Sequence, residues 1–289
     1  MWPVPRLKVT LIVGLTVPAI LAASACTAPP DASPPTFVDP SPTVAASSPP
    51  PELPELPLHP QNDVTGTTPF WSWALVDRRT GTDWGSPNAE EVSRTASMVK
   101  AWLAALYLRE NPEPSQSWVS TLSRMIRDSD NAAGEQTYQA VGGNHLVTDA
   151  MMSVCGVSAT MPFNGVDWGS TTISSRQQAL LGACIAGGRV ADARWTAWLL
   201  DEMRQVRGGG DFGIRQAFPE DVRHTIAIKN GWTQASDGTW YVNCLAIGKT
   251  WVLVVETRSR SLGAGTTTCR QITEQLLAPA TRPLPTPSV

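Results

Sequence analysis

Lysine is scarce in this 289-residue chain: Lys8, Lys100, Lys229 and Lys249 stand against eighteen arginines. Histidine occurs three times, and no two of the five cysteines stand at C-x-x-C spacing. That spacing is the usual mark of a small zinc site, so no metal is expected, and no cofactor either. There is no G-x-S-x-G elbow, which leaves His145 and His224 without the nucleophile turn of a Ser-His-Asp hydrolase. A formal net charge of −3 gives no electrostatic reason to expect nucleic acid as a partner. The main apolar run, Val9 to Ala22, is shorter than the ~20 residues of a membrane span, and Pro18 interrupts it.

What the N-terminus does carry is the pattern of an export signal over residues 1–25. Arg6 and Lys8 are positive, the apolar run follows, and Ala23-Ser24-Ala25 offers a small-residue cleavage site. Cys26 comes next, so the site resembles the lipobox of bacterial lipoproteins, with Ala23 where Leu is usual. Lipidation of Cys26 would anchor the protein in the membrane at its outer face; secretion after ordinary cleavage is the alternative. Twelve prolines lie between Thr27 and Gln61, mixed with Ser, Ala and Thr. A stretch of that composition cannot pack a core, so residues 26–66 read as an extended tether. At ~3 Å per residue it would reach on the order of 100 Å. Residues 279–289, with four prolines, read as a disordered tail. One domain over 67–278, expected to be monomeric, remains between them.

Within that domain Cys155, Cys184, Cys244 and Cys269 are an even set in an exported protein. Two disulfides are expected, with buried free thiols as the alternative. Of the three connectivities, Cys155–Cys184 and Cys244–Cys269 join cysteines near in sequence, each tying a loop or strand to a following helix. Trp71 to Asp77 alternates with strand period, turns at 78–81, and returns over Thr82 to Trp84. Helices are expected over Ser97 to Arg109, Gln116 to Arg127, Gln177 to Ala186, Arg194 to Arg207 and Thr267 to Leu277. Strands are expected over Val222 to Lys229, Gly238 to Ala246 and Thr250 to Thr257. The fold class is therefore α/β (α+β): an antiparallel sheet of about five strands built from both chain ends, flanked by helices, with an all-helical insert.

Two of the four lysines stand where arginine could not replace them. Lys100 closes Ser97-Met98-Val99-Lys100 at the start of a helix, and Lys229 opens Lys229-Asn230-Gly231 at a strand end. Between them lies Ser129-Asp130-Asn131. A guanidinium stays protonated, whereas a desolvated ammonium can give up its proton and act as a base. A lysine kept three residues after a serine points to a serine nucleophile activated by a neutral amine.

The order S-x-x-K, S-D-N, K-x-G resembles the signature of class A serine β-lactamases and penicillin-binding proteins. The likeness runs from about Thr67 to Leu277 and includes Trp168-Gly169-Ser170-Thr171-Thr172 leading into a helix. It implies a serine acyl-enzyme hydrolase acting on β-lactam or peptidoglycan-like amides. Ser97 would be the nucleophile, Lys100 its base, and Ser129 the proton relay to the leaving nitrogen. Asn131, Lys229, Asn230, Gly231 and Trp232 would bind substrate, with Lys229 attracting a carboxylate. The backbone N–H groups of Ser97 and Trp232 would form the oxyanion hole. Two departures modify this picture. Asn230 stands in place of the usual Thr or Ser, which removes a hydroxyl that the resemblance gives to carboxylate binding; an Asn amide can still donate there, which would alter binding rather than abolish it. Ala132 to Thr172 holds one Glu, Glu135, too near Asn131 to activate the deacylating water, and Asp167 is a poor substitute. Acylation should then outrun deacylation. The alternatives are a peptidase or esterase inactive on β-lactams, and a non-catalytic cell-wall-binding lipoprotein.

Overall fold

The computed structural model describes residues 57–161, 167–280 and 282–283. The chain divides into two units, 1–50 and 51–289, and every described residue lies in the second. The export signal, Cys26, most of the tether and most of the Pro-rich tail lie outside the described residues. No helix among the described residues is long and apolar enough to cross a membrane.

Among the described residues eight strands form two sheets. The larger contains β1 (Phe70–Asp77), β2 (Asp83–Gly85), β5 (Ala227–Ile228), β6 (Gly231–Gln234), β7 (Trp240–Ile247) and β8 (Trp251–Ser259). Its order is β2-β1-β8-β7-β5, with β6 also pairing β7, and every pairing is antiparallel. Residues from both chain ends thus meet at β1–β8, in register from Phe70 opposite Arg258 to Asp77 opposite Trp251. β3 (Val92–Arg94) and β4 (Thr172–Ser174) make a separate two-stranded ladder beside it.

The helices are α1 (Val99–Glu110), α2 (Gln116–Arg127), α3 (Asn131–Ala140), α4 (Asn144–Ala150), α5 (Ser175–Ala186), α6 (Ala193–Arg204), α7 (Glu220–Arg223) and α8 (Leu262–Leu277). Most of the longer ones begin at a side-chain cap. Ser115, Ser174, Asp192 and Ser261 each accept the N–H three residues on, satisfying a donor with no partner inside its helix. α8 covers one face of the large sheet, where Gly265 lies so close to Val242 and Thr257 that a side chain there would clash. α5 covers the other, where a Cβ on Gly182 would lie 2.9 Å from Val252 and 3.1 Å from Leu245. α1 is buried at every position from Val99 to Leu108, as a helix that is apolar all round requires. Burying one such Leu stabilises by about 1.5–3 kcal/mol relative to exposure. Disulfides join Cys155 to Cys184 and Cys244 to Cys269, the second tying β7 to α8.

Several boundaries differ from expectation. The strand expected over Val222 to Lys229 is instead the short helix α7 followed by two-residue β5. Pro219 before Glu220 and Asp221, with Arg223 in the last turn, is a helix-start sequence with charges that suit the helix dipole. α8 starts at Leu262, ahead of the expected Thr267, because Ser261 caps it. β3, β4, α3 and α4 were not expected as elements, and β6 adds a strand to the sheet.

Candidate active site

The chemistry-bearing residues come from four places: the turn before α1, α1 itself, the α2–α3 junction, and the edge strand formed by β5 and β6. Ala96–Met98 form a single 3-10 turn running straight into α1, with Ser97 half-buried at its centre. Lys100, on the first turn of α1, is fully enclosed. Ser129 sits between α2 and α3 with φ +56°, a left-handed conformation that costs a non-glycine residue energy. Asp130 caps α3 by accepting the Ala133 N–H at 2.8 Å, so Asn131 opens that helix.

This junction delivers three oxygens to one amine. Lys100 Nζ lies 2.6 Å from Ser129 O, 2.7 Å from Asn131 Oδ1 and 3.3 Å from Ser129 Oγ. Lys229 Nζ donates to Ser129 Oγ at 2.9 Å, so one hydroxyl stands between two amines. Burial pushes the Lys100 pKa down to about 7, against the opposing charge of Asp130, which raises it. Lys229 is pushed well below the ordinary lysine value, first by burial and then by the charge of Lys100. A neutral Lys100 has two N–H donors, and Ser129 O and Asn131 Oδ1 can take both. Its lone pair is then free to accept a proton. Among the described residues no hydrogen bond joins Ser97 Oγ to Lys100; such contacts commonly tighten only when substrate is bound.

β5 and β6 run in one continuous register along β7: Ile228 lies opposite Ala246 and Gly231 opposite Asn243, with Lys229 N–H bonded to Leu245 O between them. Side chains therefore alternate through Lys229-Asn230-Gly231-Trp232. Lys229 and Gly231 face the Ser97 turn. A Cβ on Gly231 would fall 2.4 Å from Thr95 O and 2.6 Å from Ser97 N, which is why only glycine fits. By the same alternation the Trp232 N–H points to the open edge, away from β7.

Asn230 and Trp232 turn their side chains to the other face, and this corrects the expectation for Asn230. Its amide nitrogen donates to Gly210 O at 3.0 Å and Phe212 O at 2.7 Å, so both N–H groups are occupied away from the cleft. The Trp232 ring meets Phe212 edge to face at 5.5 Å. Lys229 also differs from expectation, because it is fully enclosed and touches Ser129 rather than being presented to a substrate carboxylate.

Trp168 has a larger part than the sequence suggested. Its ring centroid lies 4.8 Å from Lys100 Nζ, and its indole N–H donates to Glu135 Oε2 at 3.2 Å. Gly134 makes room for this, since a Cβ there would be 2.9 Å from Lys100 Cε and 3.2 Å from Trp168 Cζ2. A glycine within helix α3, one residue before the only Glu of that region, was the available signal. Asp167 instead caps the turn at Trp168–Ser170, accepting from Gly169 N–H at 3.0 Å and Ser170 Oγ at 2.5 Å. Nearby carboxylates are thus committed: Asp130 to a helix cap, Glu135 to an indole, Asp167 to a turn.

No protein-family model and no curated protein sequence matches the chain. Solved structures do. A β-lactamase from Chitinophaga pinensis superposes with a TM-score of 0.60 at 17% identity, covering 72% of this chain and 93% of its own. The TLA-3 extended-spectrum β-lactamase gives 0.58 at 14% identity, over 74% of this chain and 94% of its own. An ancestral class A β-lactamase gives 0.55 at 16% identity, over 72% and 93%. The domain has the fold of the class A serine β-lactamases. Like them it carries an antiparallel sheet with helices on both faces.

Proposed function

We propose that the protein is a serine acyl-enzyme hydrolase acting on β-lactam or peptidoglycan-like amide bonds, with acylation faster than deacylation. The observation that carries this reading is the Lys100–Ser129–Lys229 cluster, two buried amines sharing one hydroxyl. Desolvating two ammonium groups side by side is costly, and such an arrangement supplies a neutral amine near neutral pH.

In this mechanism neutral Lys100 takes the Ser97 hydroxyl proton while Oγ attacks the carbonyl carbon. The oxyanion meets the backbone N–H groups of Ser97 and Trp232, each worth on the order of 3 kcal/mol to the transition state. Ser129, held by Lys229, passes its proton to the departing nitrogen as the C–N bond breaks and recovers one from the Lys100 ammonium, leaving an acyl-Ser97 ester and a neutral Lys100. Hydrolysis of that ester requires an activated water. Asp130, Glu135 and Asp167 each accept hydrogen bonds elsewhere, and among the described residues no other carboxylate is placed beside Lys100, so in this reading the ester persists. Export, the tether and lipidation of Cys26 belong to the same proposal, since they would place the site in the cell wall.

A second reading has its own support. Asn230 donates away from the cleft and Lys229 is enclosed, so neither offers a carboxylate anchor. A peptidase or esterase for substrates without that carboxylate would use the same nucleophile. Labelling the purified domain with a fluorescent penicillin and with a fluorescent ester, each beside Ser97→Ala, separates the two. Ser97-dependent labelling by the penicillin supports the first reading, turnover of the ester alone supports the second, and labelling by neither contradicts both.

A further inference from the structure

Ala96, immediately before Ser97, has φ +44°, a conformation that alanine keeps only where its surroundings impose it. Those surroundings can be named. On one side the Thr95 N–H donates to Thr171 O at 2.8 Å. On the other, two side chains of the large sheet donate to carbonyls of β3, Asn243 Nδ2 to Arg94 O and Arg258 Nη2 to Val92 O at 2.6 Å, while the Arg94 guanidinium lies over the Tyr241 ring at 5.2 Å. Alternate carbonyls of β3 are therefore held from the sheet.

Both side chains are themselves fixed. Asn243 is fully buried, and its Oδ1 accepts the Thr257 N–H at 3.3 Å, so only its NH2 end can face Arg94. Arg258 lies over the Phe70 ring at 4.0 Å and pairs with Glu91 at 3.1 Å. The ladder between β3 and β4 holds β3 from its other side. Asn243 is also the residue opposite Gly231, whose missing Cβ leaves room for Ser97 N. One residue pair across β6 and β7 therefore meets both the Ser97 turn, through Gly231, and the strand leading into it, through Asn243.

We infer that Asn243 and Arg258 are positioning residues. They clamp β3, through Arg94 O and Val92 O, so that the strained Ala96–Ser97 turn holds the Ser97 N–H in place against β6. Neither touches substrate, and the role rests on the acyl-transfer reading above.

The test combines acylation kinetics of Asn243→Ala with hydrogen exchange of the amides of residues 95–98. The clamp predicts an acylation rate constant lower by roughly tenfold to a hundredfold with pre-acylation affinity little changed, because a small misplacement of a reacting group has that effect. It also predicts faster exchange in residues 95–98 while β7 and β8 stay protected. Wild-type acylation rate in a folded Asn243→Ala, or a loss that lies wholly in affinity, overturns the inference. If the wild type is not acylated, the functional reading has failed and the exchange data decide alone: unchanged protection at 95–98 overturns the clamp. Where Asn243→Ala does not fold, Arg258→Met is subjected to the same two measurements with the same outcomes.

Discussion

Lys229 Nζ donates to Ser129 Oγ at 2.9 Å, and that same oxygen lies 3.3 Å from Lys100 Nζ. The relationship makes Ser129 a bridge between two buried amines. In the proposed mechanism Lys100 must be neutral to act as the base, so its titration sets the pH dependence. With Lys100 near 7, the neutral fraction grows as pH rises, so the acylation rate constant should climb between about pH 6 and 8 and then level off. Stopped-flow acylation across that range checks the sign. Lys100→Arg, which cannot deprotonate, should lose about a thousandfold at every pH.

Asp130 tunes that base from its place at the α3 cap. Its charge holds the Lys100 pKa up against burial. Asp130→Asn keeps a good helix cap while removing the charge, so it should move the rising limb of the profile to lower pH at little cost in melting temperature. A limb that moves to higher pH would contradict the assignment.

Gly231 sets the approach of the sheet edge to the Ser97 turn. Gly231→Ala places a methyl against Thr95 O, Ser97 N and Met98 N, all backbone atoms that cannot swing aside. Overpacking of this kind costs about 1–3 kcal/mol of stability. Acylation should fall further than the melting temperature alone explains, because the displaced Ser97 N–H is an oxyanion donor in the proposed mechanism. Calorimetry beside labelling kinetics measures both.

Glu256 is a separate, pH-dependent weakness. It lies in β8 between Ser72 and Asn243, fully buried, and neither carboxyl oxygen has a hydrogen-bond partner. Burial raises its pKa well above the ordinary 4.5, opposed by Arg258 two residues on. The folded state therefore holds a proton that the unfolded state releases, and stability falls as pH rises from about 4.5 toward the folded-state value. Glu256→Gln should flatten that part of the melting-temperature profile. An unchanged slope would show that Glu256 is not its source.

How much of this was legible in the sequence follows from what each residue needs. Ser97, Lys100, Ser129, Asn131 and Lys229 could be singled out because their chemistry tolerates few substitutes, and the structure brings the last four to one point. The direction of Asn230 was also available, since period-2 alternation sends it opposite to Lys229, but a role carried from a resemblance obscured it. α7 could have been read from Pro219-Glu220-Asp221. The contact of Asn243 with Arg94 could not, because it joins residues 149 positions apart. β3 and β4 are three residues each, too short for a periodic signal.

The most direct test is intact-mass spectrometry of the purified domain after adding a penicillin, followed over time beside Ser97→Ala. A mass increase of one penicillin that forms on the wild type alone and persists for hours is the predicted result, reporting acylation without an activated water. An adduct that vanishes within minutes as the drug is consumed would contradict the stalled deacylation. No adduct at all would contradict the penicillin-reactive serine itself.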